Sequence, residues 1–182
     1  MFVARYSTTG KLLYTAGADR KVKIWDAASA KAGARPKYEL DGHLRYVLTA
    51  DMSNDEHLLV SGGADKGINL WNVQSGKLIE QLKGHTSDVE AVAFTPNGKF
   101  VVSASEDKTV RVWSVDGGAE LVRLFFQKAG PKYAGVTLEN QAFGDHDSGL
   151  ISIWQDGRVI PAEQADKIVP YLGRQIAIVT GD

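Results

Sequence analysis

The sequence predicts an all-β protein built from successive four-stranded antiparallel sheets stacked on one another. The four tryptophans of the chain, Trp25, Trp71, Trp113 and Trp154, recur at intervals of 46, 42 and 41 residues, a spacing that suits one supersecondary unit per period. One phrase returns before the first three of them: GADRKVKIWD at 17–26, GADKGINLWN at 63–72 and SEDKTVRVWS at 105–114, each with an Asp six residues ahead of the Trp. Between these landmarks lie short apolar segments bounded by turn residues, and they are bulky on both faces. In TVRVW, Val110 and Val112 point one way and Trp113 the other. A sheet that is apolar on both faces must be covered twice, and radial stacking of sheets does this.

The repeats align without gaps. YSTTGKLLYTAGADRKVKIW (6–25), MSNDEHLLVSGGADKGINLW (52–71) and FTPNGKFVVSASEDKTVRVW (94–113) each run from an aromatic or Met through a polar turn to an apolar run, a hydroxyl, small residues, Asp and Trp. Gly42-His43 and Gly84-His85 stand at one shared offset before Trp71 and Trp113. In the third repeat the strands are VEAVAF, KFVVSAS, TVRVWSV and AELVRLFF, and the Asn97-Gly98 pair predicts a two-residue type I′ turn with positive φ at both positions. The fourth repeat departs from the pattern. LISIW brings Trp154 on schedule, but Ser148 replaces the Asp and Phe126 stands where a His is due. Its segments YAGVTL and QAF are short. Beyond it, AEQADKIVPYL reads as a brief helix and QIAIVTGD as a strand that opens a further repeat.

These residues resemble the WD40 repeat family of β-propellers. The resemblance covers residues 1–160, divided into repeats at about 1–41, 42–83, 84–127 and 128–160, with 161–182 a diverged tail that caps the array or begins another blade. It implies a buried, hydrogen-bonded tetrad on His43, Ser61, Asp65 and Trp71, and again on His85, Ser103, Asp107 and Trp113. The first repeat supplies Thr15, Asp19 and Trp25. The family generally closes a ring with seven blades, so three sound repeats and one degenerate one imply an incomplete ring. A second copy, the tail or the remainder of a longer chain would complete it.

Composition narrows the function. With 182 residues, 43% hydrophobic and 24% charged, the chain is long enough for a sizeable core. Lys plus Arg number 21 against 22 Asp plus Glu, which gives no basic excess for nucleic acid or an anionic membrane. Cysteine is absent, which excludes disulfides, thiolate metal sites and a cysteine nucleophile. No apolar stretch has the length of a membrane span, so the expectation is a soluble, cytoplasmic protein.

Ser103, His85 and Asp107 are the residue types of a hydrolytic triad. The same set occurs twice, each time with a Trp, which favours a structural network. Gly-Asp-His-Asp-Ser-Gly at 144–149 offers Asp145, His146 and Asp147 to a divalent metal, but adjacent residues in one loop converge poorly and a solvated turn is the better reading. The 62–67 stretch lacks the glycine spacing of a phosphate loop. No catalytic residue, metal or cofactor is therefore expected. The resemblance places partner contacts on the face carrying the Gly-His loops and Asp turns: Phe2, Ala18, Tyr46, Leu48, Ala64, Asp88, Glu90 and Glu106. The expected function is a non-enzymatic scaffold that binds a peptide or protein on that rim. The alternative is an enzyme or enzyme-accessory domain with its site in 128–182.

Overall fold

The computed structural model describes residues 1–31 and 33–126, together with strands at 133–137, 142–144, 153–155 and 158–160. Among the described residues there are strands and turns and no helix. The chain divides into two compact units, Met1–Leu121 and Val122–Asp182.

In the first unit, β1 (Val3–Tyr6), β2 (Leu12–Ala16), β3 (Lys21–Asp26) and β4 (Tyr38–Asp41) form one antiparallel sheet in that order. Strands β5 (Val47–Met52), β6 (Leu58–Gly63), β7 (Ile68–Asn72) and β8 (Lys77–Leu82) form the second in the same order. The third contains β9 (Val89–Phe94), β10 (Phe100–Ser105) and β11 (Thr109–Ser114), and β12 (Glu120–Phe126) carries the chain into the second unit. These strands lie where the apolar segments predict them. Each sheet is a blade, and the second blade buries its two faces against the first and the third. Val22, Ile24, Tyr14 and Leu40 of the first blade pack with Ala50, Leu59 and Trp71 of the second. Val60, Ile68 and Leu70, on the other face of the second, pack with Val92, Val101 and Trp113 of the third.

Side chains stitch the inner strands together as well. The Val92 N–H donates to Thr49 Oγ1 at 3.2 Å and the Phe94 N–H to Asp51 Oδ2 at 2.8 Å. Strand β9 thus has amide donors satisfied by the preceding blade.

The Asn97-Gly98 turn differs from expectation. Only Gly98 has positive φ, at 68°, and its N–H bonds the Thr95 carbonyl at 2.8 Å, so the turn is centred on Pro96 and Asn97. Proline fixes φ near −65° and favours the first central position of a type I turn, which moves the reversal one residue back. The left-handed position then falls on Gly98. A Cβ there would meet nothing within 4 Å, so Gly98→Ala should cost about 1 kcal/mol from backbone strain alone, read as a lowered denaturation midpoint with an unchanged m-value.

In the second unit, β13 (Tyr133–Thr137) pairs with β12 and β14 (Ala142–Gly144) pairs with β13. Strand β15 (Ile153–Gln155), which carries Trp154, pairs instead with β16 (Arg158–Ile160). The sequence reading expected no strand at 158–160. Ser148, the Asp145-His146-Asp147 group, the helix read at 162–172 and the strand read at 175–182 lie outside the described residues.

Candidate functional site

The repeated polar residues converge on the ends of the blades. Asp65 sits in the turn between β6 and β7, where the Lys66 N–H bonds the Gly63 carbonyl, and His43 arrives from the loop after β4 of the preceding blade. His43 Nδ1 lies 3.0 Å from Asp65 Oδ1, its Nε2 lies 2.8 Å from Ser61 Oγ, and the Trp71 indole N–H donates to the same oxygen at 2.8 Å. The third blade repeats this. His85 Nδ1 is 2.8 Å from Asp107, its Nε2 is 2.8 Å from Ser103, and Trp113 donates to Ser103 at 2.8 Å. One proton assignment satisfies every group: indole to hydroxyl oxygen, hydroxyl to Nε2, and Nδ1–H to carboxylate. In the first blade, Trp25 donates to Thr15 Oγ1 at 3.0 Å, while the Asp19 carboxylate pairs with Lys23 Nζ at 2.6 Å.

Electrostatics fit this arrangement. Burial alone would raise the Asp107 carboxyl, but hydrogen bonds from the Thr109 hydroxyl, the Thr86 N–H and His85 outweigh it and hold the group well below the usual carboxylate range. Asp65 is lowered in the same way, by His43 and the Leu44 and Gly67 amides acting against burial. Burial pushes the His85 imidazole down and favours its neutral form. The Ser61 and Ser103 hydroxyls are buried and bonded on both sides, so neither is presented as a nucleophile.

Two repeated positions escaped the sequence reading. Ser7, Ser53 and Thr95 are buried at the starts of the first turns, and their oxygens accept the Leu12, Leu58 and Phe100 amides at 3.1, 3.0 and 3.2 Å. The second position lies two residues before each Trp and holds Lys23, Asn69 and Arg111. Arg111 is buried and bonds Glu120 at 2.8 Å and Asp107 at 3.5 Å. Asn69 is fully buried, and neither its amide nitrogen nor its oxygen has a partner.

The rim residues divide. Phe2 and Tyr46 are 55% and 52% exposed with ring centroids 6.2 Å apart, and Leu44, two residues before Tyr46, is exposed as well. Leu48 and Glu90 occupy the extra positions of β-bulges, which re-aim their side chains away from the ladder. Glu90, Glu106 and Ala18 are exposed and Asp88 is half-buried, with the Glu106 N–H bonded to the Asp88 carbonyl at 3.0 Å. Ala64 is buried, its N–H bonded to the Tyr46 carbonyl at 2.9 Å, so it offers no contact surface. Among the described residues no cluster of His, Asp or Glu could hold a metal ion. No helix among them is long and apolar enough to cross a membrane.

Four-stranded sheets packed face to face, with a His-Ser-Asp-Trp network tying the second blade to the first and the third to the second, define a β-propeller repeat protein. The family model for the WD domain, G-beta repeat, matches residues 2–26, 34–72 and 76–114, more than half of the chain, and the chain belongs to the WD40 repeat family. No curated protein matches it significantly. Among solved structures 1218 chains match, including a structure of U3-55K with a TM-score of 0.63 at 21% identity, which shows a shared fold. That alignment covers 78% of this chain and 50% of the other, so this chain spans about half the length of that relative.

Proposed function

We propose that the chain is a protein-interaction module that holds a peptide with an apolar anchor and a basic flank on the rim of its first three blades. Membership of the WD40 family supports a scaffold role. The observation that carries the finer reading is the exposed Phe2–Tyr46 pair, because two aromatic rings at a rigid sheet end give large contact area with little entropy to lose. Asp88, Glu90 and Glu106 gather on the third blade and set the direction of the peptide, with its basic end toward them.

A peptide-display selection tests this. Selected peptides should carry an apolar residue with Lys or Arg on one side. The Glu90→Lys, Glu106→Lys double variant should weaken them at least tenfold, mainly through slower association, with an unchanged melting temperature. Tyr46→Ala should weaken them through faster dissociation. Equal affinity for both variants and the unsubstituted chain would place docking elsewhere.

A further inference from the structure

We infer that strand β8 is a docking edge for an extended segment of a partner protein, which joins the sheet of the second blade as a further antiparallel strand. Strand β8 is the last strand of its sheet, and among the described residues no backbone group of Lys77–Leu82 bonds anything beyond β7. A sheet edge of this kind offers a row of amides and carbonyls that another strand can satisfy. Its centre is also apolar and open to solvent. Lys77, Leu78, Ile79 and Glu80 are exposed in succession, Leu78 by 46% and Ile79 by 49%. A β-bulge causes this: Leu78 pairs with Trp71 and Glu80 with Leu70, so Ile79 is the extra residue and leaves the regular alternation.

The neighbouring repeats set this edge apart. In β4 the exposed side chains are Glu39, paired with Lys21 at 2.7 Å, and Asp41. Tyr38 is half-buried with its hydroxyl donating to the Gln74 carbonyl, and Leu40 is buried. Charges placed along an edge discourage pairing, and β8 has none between Lys77 and Glu80. In the third repeat the fourth strand does accept another: residues 122–126 of β12 pair antiparallel with β13. The occupant of β8 is a partner and not a second copy. Two copies joined by a two-fold axis pair their strands about a single residue. Centred on Ile79, such a pair sets Leu78 against Glu80; centred on Leu78, it sets Lys77 against Ile79; centred on Glu80, it opposes two carboxylates. A partner strand is free of that constraint and can set Arg or Lys opposite Glu80, apolar residues opposite Ile79 and Leu78, and Asp or Glu opposite Lys77. From its N-terminus, the segment recognised therefore runs basic, apolar, apolar, acidic. This edge shares no residue with the rim, and either site can fail without the other.

The probe is acetyl-Thr-Arg-Val-Ile-Glu-Thr-amide, titrated into the ¹⁵N-labelled 182-residue chain. Saturable amide shifts are expected at Lys77–Leu82, and they should persist in the Glu90→Lys, Glu106→Lys double variant. Exchanging Arg and Glu in the peptide should weaken binding about tenfold, and Ile79→Lys in the protein should do the same without lowering the melting temperature. Backbone N-methylation separates strand addition from apolar contact, because only alternate residues of an added strand turn their amides toward β8. Of two peptides, one methylated on Arg and Ile and the other on Val and Glu, one should bind and the other should not. Absence of shifts up to millimolar peptide, or equal behaviour of the two methylated forms, would overturn the assignment. So would protection of the outward amides of β8 from hydrogen exchange in the free chain, since a second copy or the chain's own tail would then already hold the edge.

Discussion

Asp107→Ala should lower stability by about 3–5 kcal/mol, the range for removing one partner from a buried ionic network. The Asp107 carboxylate accepts from His85, the Thr86 and Thr109 amides, the Thr109 hydroxyl and Arg111. Arg111 keeps Glu120 and Thr109, and His85 keeps Ser103 and a longer contact with the Thr109 hydroxyl at 3.3 Å, but a loop and a turn lose their anchor. Asp65 holds His43 and the Leu44 and Gly67 amides without a buried cation, so Asp65→Ala should cost less, about 1–3 kcal/mol. Urea unfolding at neutral pH checks the order. Acid should act on the same groups. Asp107, Asp65 and His85 all have lowered pKa values in the folded protein, so each binds protons more readily when unfolded. Their contribution is complete above about pH 6.5, begins to fall as unfolded His85 becomes protonated, and falls further below about pH 4 as the unfolded carboxylates do. Asp107→Ala should flatten that acid limb.

Asn69→Leu should act in the opposite direction and raise stability by about 1–3 kcal/mol, the penalty of a buried amide without hydrogen bonds. Leucine has the same branching at Cγ and nearly the same shape, so the surrounding Trp71 and Gly42 need not move. The buried orphan is a position where the second blade has neither the cation of the third nor the solvent exposure of the first. Loss of stability in Asn69→Leu, measured by thermal and urea unfolding, would mean that the amide is satisfied in solution.

The blades and the tetrads were legible in the sequence because each rests on a fixed spacing. Trp and His recur at one offset, and strands alternate between turns of recognisable chemistry. What stayed hidden depends on three dimensions. Lys23, Asn69 and Arg111 share one structural position but no chemistry, so no motif flags them. Ser7, Ser53 and Thr95 look like ordinary turn residues, since the local sequence does not reveal that they are buried. The Asn97-Gly98 signal was real, but Pro96 decided where the chain turned. Ala64 occupies a rim position by spacing and is covered all the same, because β5 and its loop close over it. Strand β16 lies beyond the last of the spaced tryptophans and matches no repeat, so the spacing gives no sign of it.

Strand β4 belongs to the sheet of the first blade, yet the two residues after it, Gly42 and His43, belong to the network of the second. Covalent joints and packing seams are thus out of phase along the chain. No blade is a bead that could be snipped off its string. A nick in the exposed connection between β3 and β4 would fall inside a sheet, and the detached N-terminal piece would stay paired to β4, which remains tethered to the second blade. The same offset makes each blade boundary a lap joint, so that neighbouring blades gain and lose order together and cooperativity is passed on between nearest neighbours.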